Sequence, residues 1–154
     1  MKQFKKGFTL IELLVVITII AVFAGIVYVG VNPSKRIADA QNARRSTDID
    51  QILSAVHQYI VDNNGTIPSG ISATELQLGS ATSGCAISSG GCAVTTAGCL
   101  DLSSILAGYL KSIPADPLPA LSAGGKTGYS IMSSSGIITV RACGATGSNI
   151  VTSQ

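Results

Sequence analysis

Four cysteines, one histidine, one acid inside a long apolar run and a Gly-Gly-Lys-Thr tetrapeptide are the parts of this sequence with chemistry to offer. Cys85, Cys92 and Cys99 are separated by six residues each time, and Cys143 lies far downstream. Zinc sites draw ligand pairs about two to four residues apart, so this spacing speaks against a metal and for two disulfides made in an oxidising compartment. Four cysteines allow three connectivities, and spacing does not choose among them. Cys85–Cys92 with Cys99–Cys143 is the expected pairing, because it ties down a loop and fastens the last strand. His57 has no nucleophile and orienting acid beside it in the sequence, so no triad is in view and no catalytic residue is expected.

The run Ala120 to Thr127 nearly spells a phosphate-binding loop. Such a loop needs a buried strand before it and a helix after it. Here Pro114, Pro117 and Pro119 precede and the strand-like Tyr129-Ser130-Ile131 follows, so Lys126 reads as a solvated loop charge. Asp101 and Asp116 fall short of calcium, which takes about six to eight oxygens; capping and turn roles suffice for them. Asn64-Gly65-Thr66 matches a glycosylation sequon, while Asn64 has a simpler role in closing a helix. No metal, cofactor or enzymatic activity is expected.

Glu12 is the sharpest feature. From Phe8 to Val31 it is the only charged side chain in 24 residues. A helix of that length reaches about 36 Å, enough to cross a hydrocarbon core. An acid within it costs a few kcal/mol on insertion, so it calls for a partner. Lys2, Lys5 and Lys6 precede the run and hold the N-terminus in the cytoplasm by the positive-inside rule. Without them the chain carries seven basic against eight acidic side chains, with no basic stripe for nucleic acid. Only 12% of the 154 residues are charged and 46% are apolar, so the chain must bury surface in a core, a bilayer or a partner.

The stretch Lys5-Lys6-Gly7-Phe8-Thr9-Leu10-Ile11-Glu12-Leu13-Leu14-Val15-Val16-Ile17 resembles the class III signal of the type IV pilin superfamily, which includes the pseudopilins of type II secretion. That resemblance implies cleavage between Gly7 and Phe8 by a prepilin peptidase, methylation of the new Phe8 amine, and an assembly salt bridge between Glu12 of one subunit and Phe8 of another. It also implies storage in the cytoplasmic membrane, assembly by a platform and its ATPase, and a homopolymeric helical filament at the cell surface. The first expectation is a type IV pilus subunit serving adhesion, motility or DNA uptake, with nucleic acid left open as a partner. The alternatives are a pseudopilin of a type II secretion system and, in a different class, a monomeric membrane-anchored binding domain.

The remaining elements must carry that segment. Gly25, Gly30 and Pro33 mark a helix break, either a kink between Gly25 and Pro33 or a fresh start with Asn32 as N-cap and Pro33 as first helical residue. Ile49, Ile52, Leu53, Val56, Tyr59 and Ile60 recur at helical spacing and form one face of an amphipathic helix. Lys35, Arg36, Asp39, Arg44, Arg45, Asp48 and Asp50 fall opposite, as a solvated face. Residues 79–99 read as an uncharged surface loop. Asp101 opens a short helix through Leu110, and two strands, Tyr129–Ser133 and Ile137–Cys143, flank a Ser134–Gly136 turn. The fold class is α+β and pilin-like: a long N-terminal helix on a small C-terminal antiparallel sheet. The expected divisions are a leader, 1–7; a membrane and filament-core helix, 8–31; an amphipathic helix, 32–64; and a globular head, 65–154.

Overall fold

The computed structural model describes residues 7–154. The leader residues 1–6, with their three lysines, lie outside it. Seven elements follow in order: α1 (Leu10–Val31), α2 (Pro33–Asp62), β1 (Leu76–Gly79), α3 (Pro119–Ser122), β2 (Lys126–Ser134), β3 (Ile137–Ala142) and β4 (Ile150–Ser153). The chain divides into two compact units, one ending at Ala38 and one spanning Asp39–Gln154.

In the N-terminal unit, α1 opens on Thr9, whose extended backbone makes it an N-cap. The 22 residues of α1 span about 33 Å as a helix, and its large apolar side chains from Leu10 to Val29 stand exposed rather than packed on protein. That length and composition suit a bilayer. The glycines do not break it: α1 remains helical through Gly25 and Gly30, and the interruption falls at Asn32. Asn32 adopts the left-handed conformation (φ 44°, ψ 72°) that its short polar side chain tolerates. Pro33 has no amide to donate and is the first residue of α2. The Asn32 carbonyl accepts from Lys35 N (3.1 Å) and Arg36 N (3.3 Å), and its Oδ1 also faces Lys35 N at 3.4 Å.

In the second unit β1 to β4 form an antiparallel meander in sequence order. Ile138, Val140 and Ala142 of β3 point inward with Tyr129 and Ile131 of β2, and Ile49, Ile52, Leu53 and Val56 of α2 join them in one core. The β2–β3 hairpin turns on Ser135 (φ 53°) and Gly136 (φ 85°), two left-handed residues matching the twist of the strands. At the end of α2, Asn64 (φ 55°) and Gly65 reverse the chain, and Gly65 N reaches back to Ile60 O at 2.8 Å.

Two local expectations fail. Asp101 to Leu110 forms successive turns instead of a helix; Leu106 N bonds Leu102 O and Leu110 N bonds Leu106 O without a continuous ladder. Asp101 Oδ1 takes Ser103 N at 2.9 Å, a local bond that competes with helix, and Gly108 weakens what remains. Residues 79–99 are also less loop-like than expected, since Cys85, Cys92 and Val94 are buried and Ile87 bridges Val94.

Candidate assembly site and its supporting networks

Gly7 and Phe8 precede the first turn of α1, and Phe8 is 85% exposed. A Cβ at Gly7 would touch nothing, so packing does not demand glycine there. Glu12, the third helical residue, closes a capping box: its Oε2 accepts from Thr9 N (2.9 Å) and Thr9 Oγ1 (2.8 Å), while its own amide donates to Thr9 Oγ1 at 3.3 Å. Within the uncleaved chain, Glu12 is thus hydrogen-bonded to Thr9. Its Oε1 has no partner among the described residues.

Arg45 and Asp48 overturn the solvated-face expectation. Both are buried. Arg45 Nε and Nη2 meet Asp116 Oδ2 and Oδ1 at 2.7 and 2.9 Å, a bidentate pair with both side chains out of solvent. Arg45 Nη1 donates to Asn42 Oδ1 at 2.9 Å, and Asn42 Nδ2 donates to Thr146 O at 2.8 Å, which ties the loop after β3 to α2. Asp116 Oδ1 also takes Leu118 N. A side chain at Gly144 would collide with both Asp116 and Arg45, so only glycine lets the backbone pass. One turn on, Tyr129 Oη donates to Asp48 Oδ2 at 2.6 Å. Burial, and then the Asp48 carboxylate, push the Tyr129 phenol far above its ordinary value. Arg44 lies 3.7 Å from Asp48; Lys35, Arg36, Asp39, Arg44 and Asp50 are exposed as expected.

All four cysteines are in disulfides, but the pairing is Cys85–Cys99 and Cys92–Cys143, not the one expected. Cys85–Cys99 closes the loop on itself. Cys92–Cys143 fastens that loop to the end of β3. Glu75 supports the second link with three bonds, accepting from Ser130 Oγ (2.6 Å), Ala93 N (3.0 Å) and Arg141 Nη1 (3.0 Å).

The other candidates resolve simply. Thr127 Oγ1 donates to Leu78 O at 2.7 Å within the sheet, and Lys126-Thr127 begins a strand, not the helix a phosphate loop requires. Hydrogen bonds from Ser103 hold the Asp101 carboxyl below its ordinary range. No group of three metal-ligating side chains occurs among the described residues. His57 is half-buried on α2, and Asn64 is exposed at the helix end.

Glu75 had no signal in the sequence. The places of Arg45 and Asp48 did: a step of four residues back from Ile49 lands on Arg45, and the same step back from Ile52 lands on Asp48.

An exposed Gly-Phe junction, an apolar helix capped through Thr9 and Glu12, and a head of antiparallel strands with α2 in its core form a pilin-like α+β arrangement. The prokaryotic N-terminal methylation motif matches residues 2–28. The type II secretion system core protein G of Pectobacterium carotovorum subsp. carotovorum is 42% identical over 60 residues, a stretch covering 39% of this chain and 37% of that protein. No solved structure matches. The motif and this relative both support a likeness to the type IV pilin superfamily, and the matched stretch spans well under half of the relative's length.

Proposed function

We propose that this chain is the structural subunit of a type IV pilus filament, made as a precursor, cleaved after Gly7 by a prepilin peptidase, methylated at Phe8 and polymerised through α1. The observation that carries the reading is α1 itself: an exposed apolar helix, opened by the methylation motif and charged only at Glu12. Such a surface is soluble in a bilayer, and the same surface can be buried against copies of itself when the subunit leaves it. In this reading the membrane stores the monomer, an assembly platform and its ATPase extract it, and the filament stands outside the cell. The head is structural and performs no catalysis.

A second reading is favoured by one observation, the similarity to a core protein of a type II secretion system. There the same polymerisation would build a short pseudopilus. Shearing surface fibres and analysing their protein tests both. Long fibres containing a chain that starts at Phe8 support the pilus. Short fibres formed only on overproduction support the pseudopilus, and a processed chain that never leaves the membrane fraction defeats polymerisation altogether.

A further inference from the structure

Residues 39–154 carry five basic side chains against seven acidic ones. Three of the five are committed to acids: Arg45 to Asp116, Arg141 to Glu75 and Arg44 to Asp48. Lys111 and Lys126 pair with no acid among the described residues, and both line one open cleft of about 320 Å³. Ser80, Ser103 and Ser112 line it as well, and no acidic residue does.

The two ammonium groups come from separate, anchored elements. Lys126 is the first residue of β2 and sits opposite Gly79, the last of β1. That strand end is fixed: Gly79 has φ 147°, a Cβ there would strike Gly125 O, and Ser80 N bonds the same oxygen at 2.8 Å. Lys111 follows the turns whose Leu102 and Leu106 are sunk in the core. Both lysines belong to the lining of the same cleft, so an anion seated there would be attracted to both at once. On a unit with more acids than bases, collecting every uncommitted lysine in one place is a charge arrangement suited to an anion. Ser103 is engaged with the Asp101 carboxyl, so Ser80 and Ser112 supply the hydroxyls. These two donors beside two ammonium groups match a tetrahedral oxyanion better than a planar carboxylate, which offers only two oxygens.

We propose that the Lys111–Lys126 cleft binds a phosphate group, either as free phosphate or as the phosphate ester of a larger molecule. The site does not depend on polymerisation, so it stands or falls apart from the filament reading.

The test uses the full chain in a non-ionic detergent, titrated with inorganic phosphate, glycerol phosphate and glucuronate while amide NMR shifts are followed. Saturable shifts centred on Ser80, Lys111, Ser112 and Lys126 are expected for both phosphates. The midpoint should rise at least fivefold in Lys111→Gln and in Lys126→Gln, with saturation lost in the double variant, while Arg36→Gln leaves it unchanged. Equal midpoints for the two phosphates point to the free ion as sufficient; a tighter ester shows that the site also reads the attached group, and either supports the proposal. No saturable shift, a midpoint unmoved in the double variant, or tighter binding of glucuronate would overturn it. So would phosphate-independent self-association that the lysine variants abolish, since the cleft would then be an interface between copies.

Discussion

Arg45 and Asp116, separated by 71 residues in sequence, meet as a bidentate ion pair with neither side chain in contact with solvent. Desolvating two charges is expensive, and the pair is tolerable because its remaining polar atoms are met by Asn42 and Leu118 N. Its structural value lies in what it joins: α2, the segment before α3 and, through Asn42, the loop after β3.

Removing one partner should therefore cost more than an exposed ion pair would. Asp116→Asn and Arg45→Met should each destabilise residues 39–154 by about 3–5 kcal/mol, the range for leaving a buried charge uncompensated. Arg45→Lys should recover little, because a lysine cannot bond both carboxylate oxygens in the same plane. Denaturant unfolding of the full chain in detergent, followed at the head, measures this; a loss below about 1 kcal/mol would place the pair among the weak surface interactions.

Tyr129 gives a pH prediction whose sign can be worked through. Its folded pKa lies above the ordinary 10.0 because burial and Asp48 disfavour the phenolate. The protonated phenol is the form the fold prefers, so its stabilisation is complete below about pH 10. It is lost as pH rises above that value, where the unfolded chain ionises and the folded one does not. Spectrophotometric titration should show a Tyr129 phenol that ionises only as the head unfolds in alkali. Tyr129→Phe should remove that step and cost about 1–3 kcal/mol by stranding Asp48. A Phe variant with the wild-type alkaline transition would exclude Tyr129 as its cause.

The disulfides differ in what they close. In the chain-entropy picture the Cys92–Cys143 link, across 51 residues, contributes about 4 kcal/mol, and Cys85–Cys99, across 14, about 3 kcal/mol. The Cys92→Ser/Cys143→Ser double variant should be the less stable of the two pairwise removals. It also frees the loop that Glu75 holds through Ala93 N. Non-reducing peptide mapping should recover 85–99 and 92–143 linked peptides; recovery of an 85–92 link would contradict the pairing.

The legible parts of this chain were those with a local or periodic cause. The apolar length of α1, the α2 stripe, the Asn64-Gly65 stop and the β2–β3 hairpin each follow from spacing or from residues that accept left-handed backbone. β1 and β4, each of four residues, were too short to show a period. The disulfide pairing depends on which segments the sheet brings together, which no spacing encodes. Arg45 and Asp48 carry charges that suit solvent but occupy positions that continue the buried stripe, and the partners that make burial tolerable, Asp116 and Tyr129, lie 71 and 81 residues away.

Glu12 brings two roles onto one side chain, and substitution can separate them. As a capping-box residue it holds Thr9 and the first turn of α1; as a charge in an apolar helix it requires a counter-charge. Glu12→Gln keeps a group able to serve in the capping box but deletes the charge. Thr9→Ala deletes the cap, at a cost of about 0.5–2 kcal/mol, and keeps the charge. If Glu12 works by pairing with the Phe8 amine of a neighbouring subunit, the Gln variant should insert and be cleaved normally yet yield at least tenfold fewer fibres. The Thr9 variant should assemble nearly as well as the parent chain. Quantifying sheared fibres against membrane-held mature protein reads both. The opposite pattern, with fibres normal in Glu12→Gln and lost in Thr9→Ala, would leave Glu12 as a helix cap and move the assembly contact elsewhere on α1.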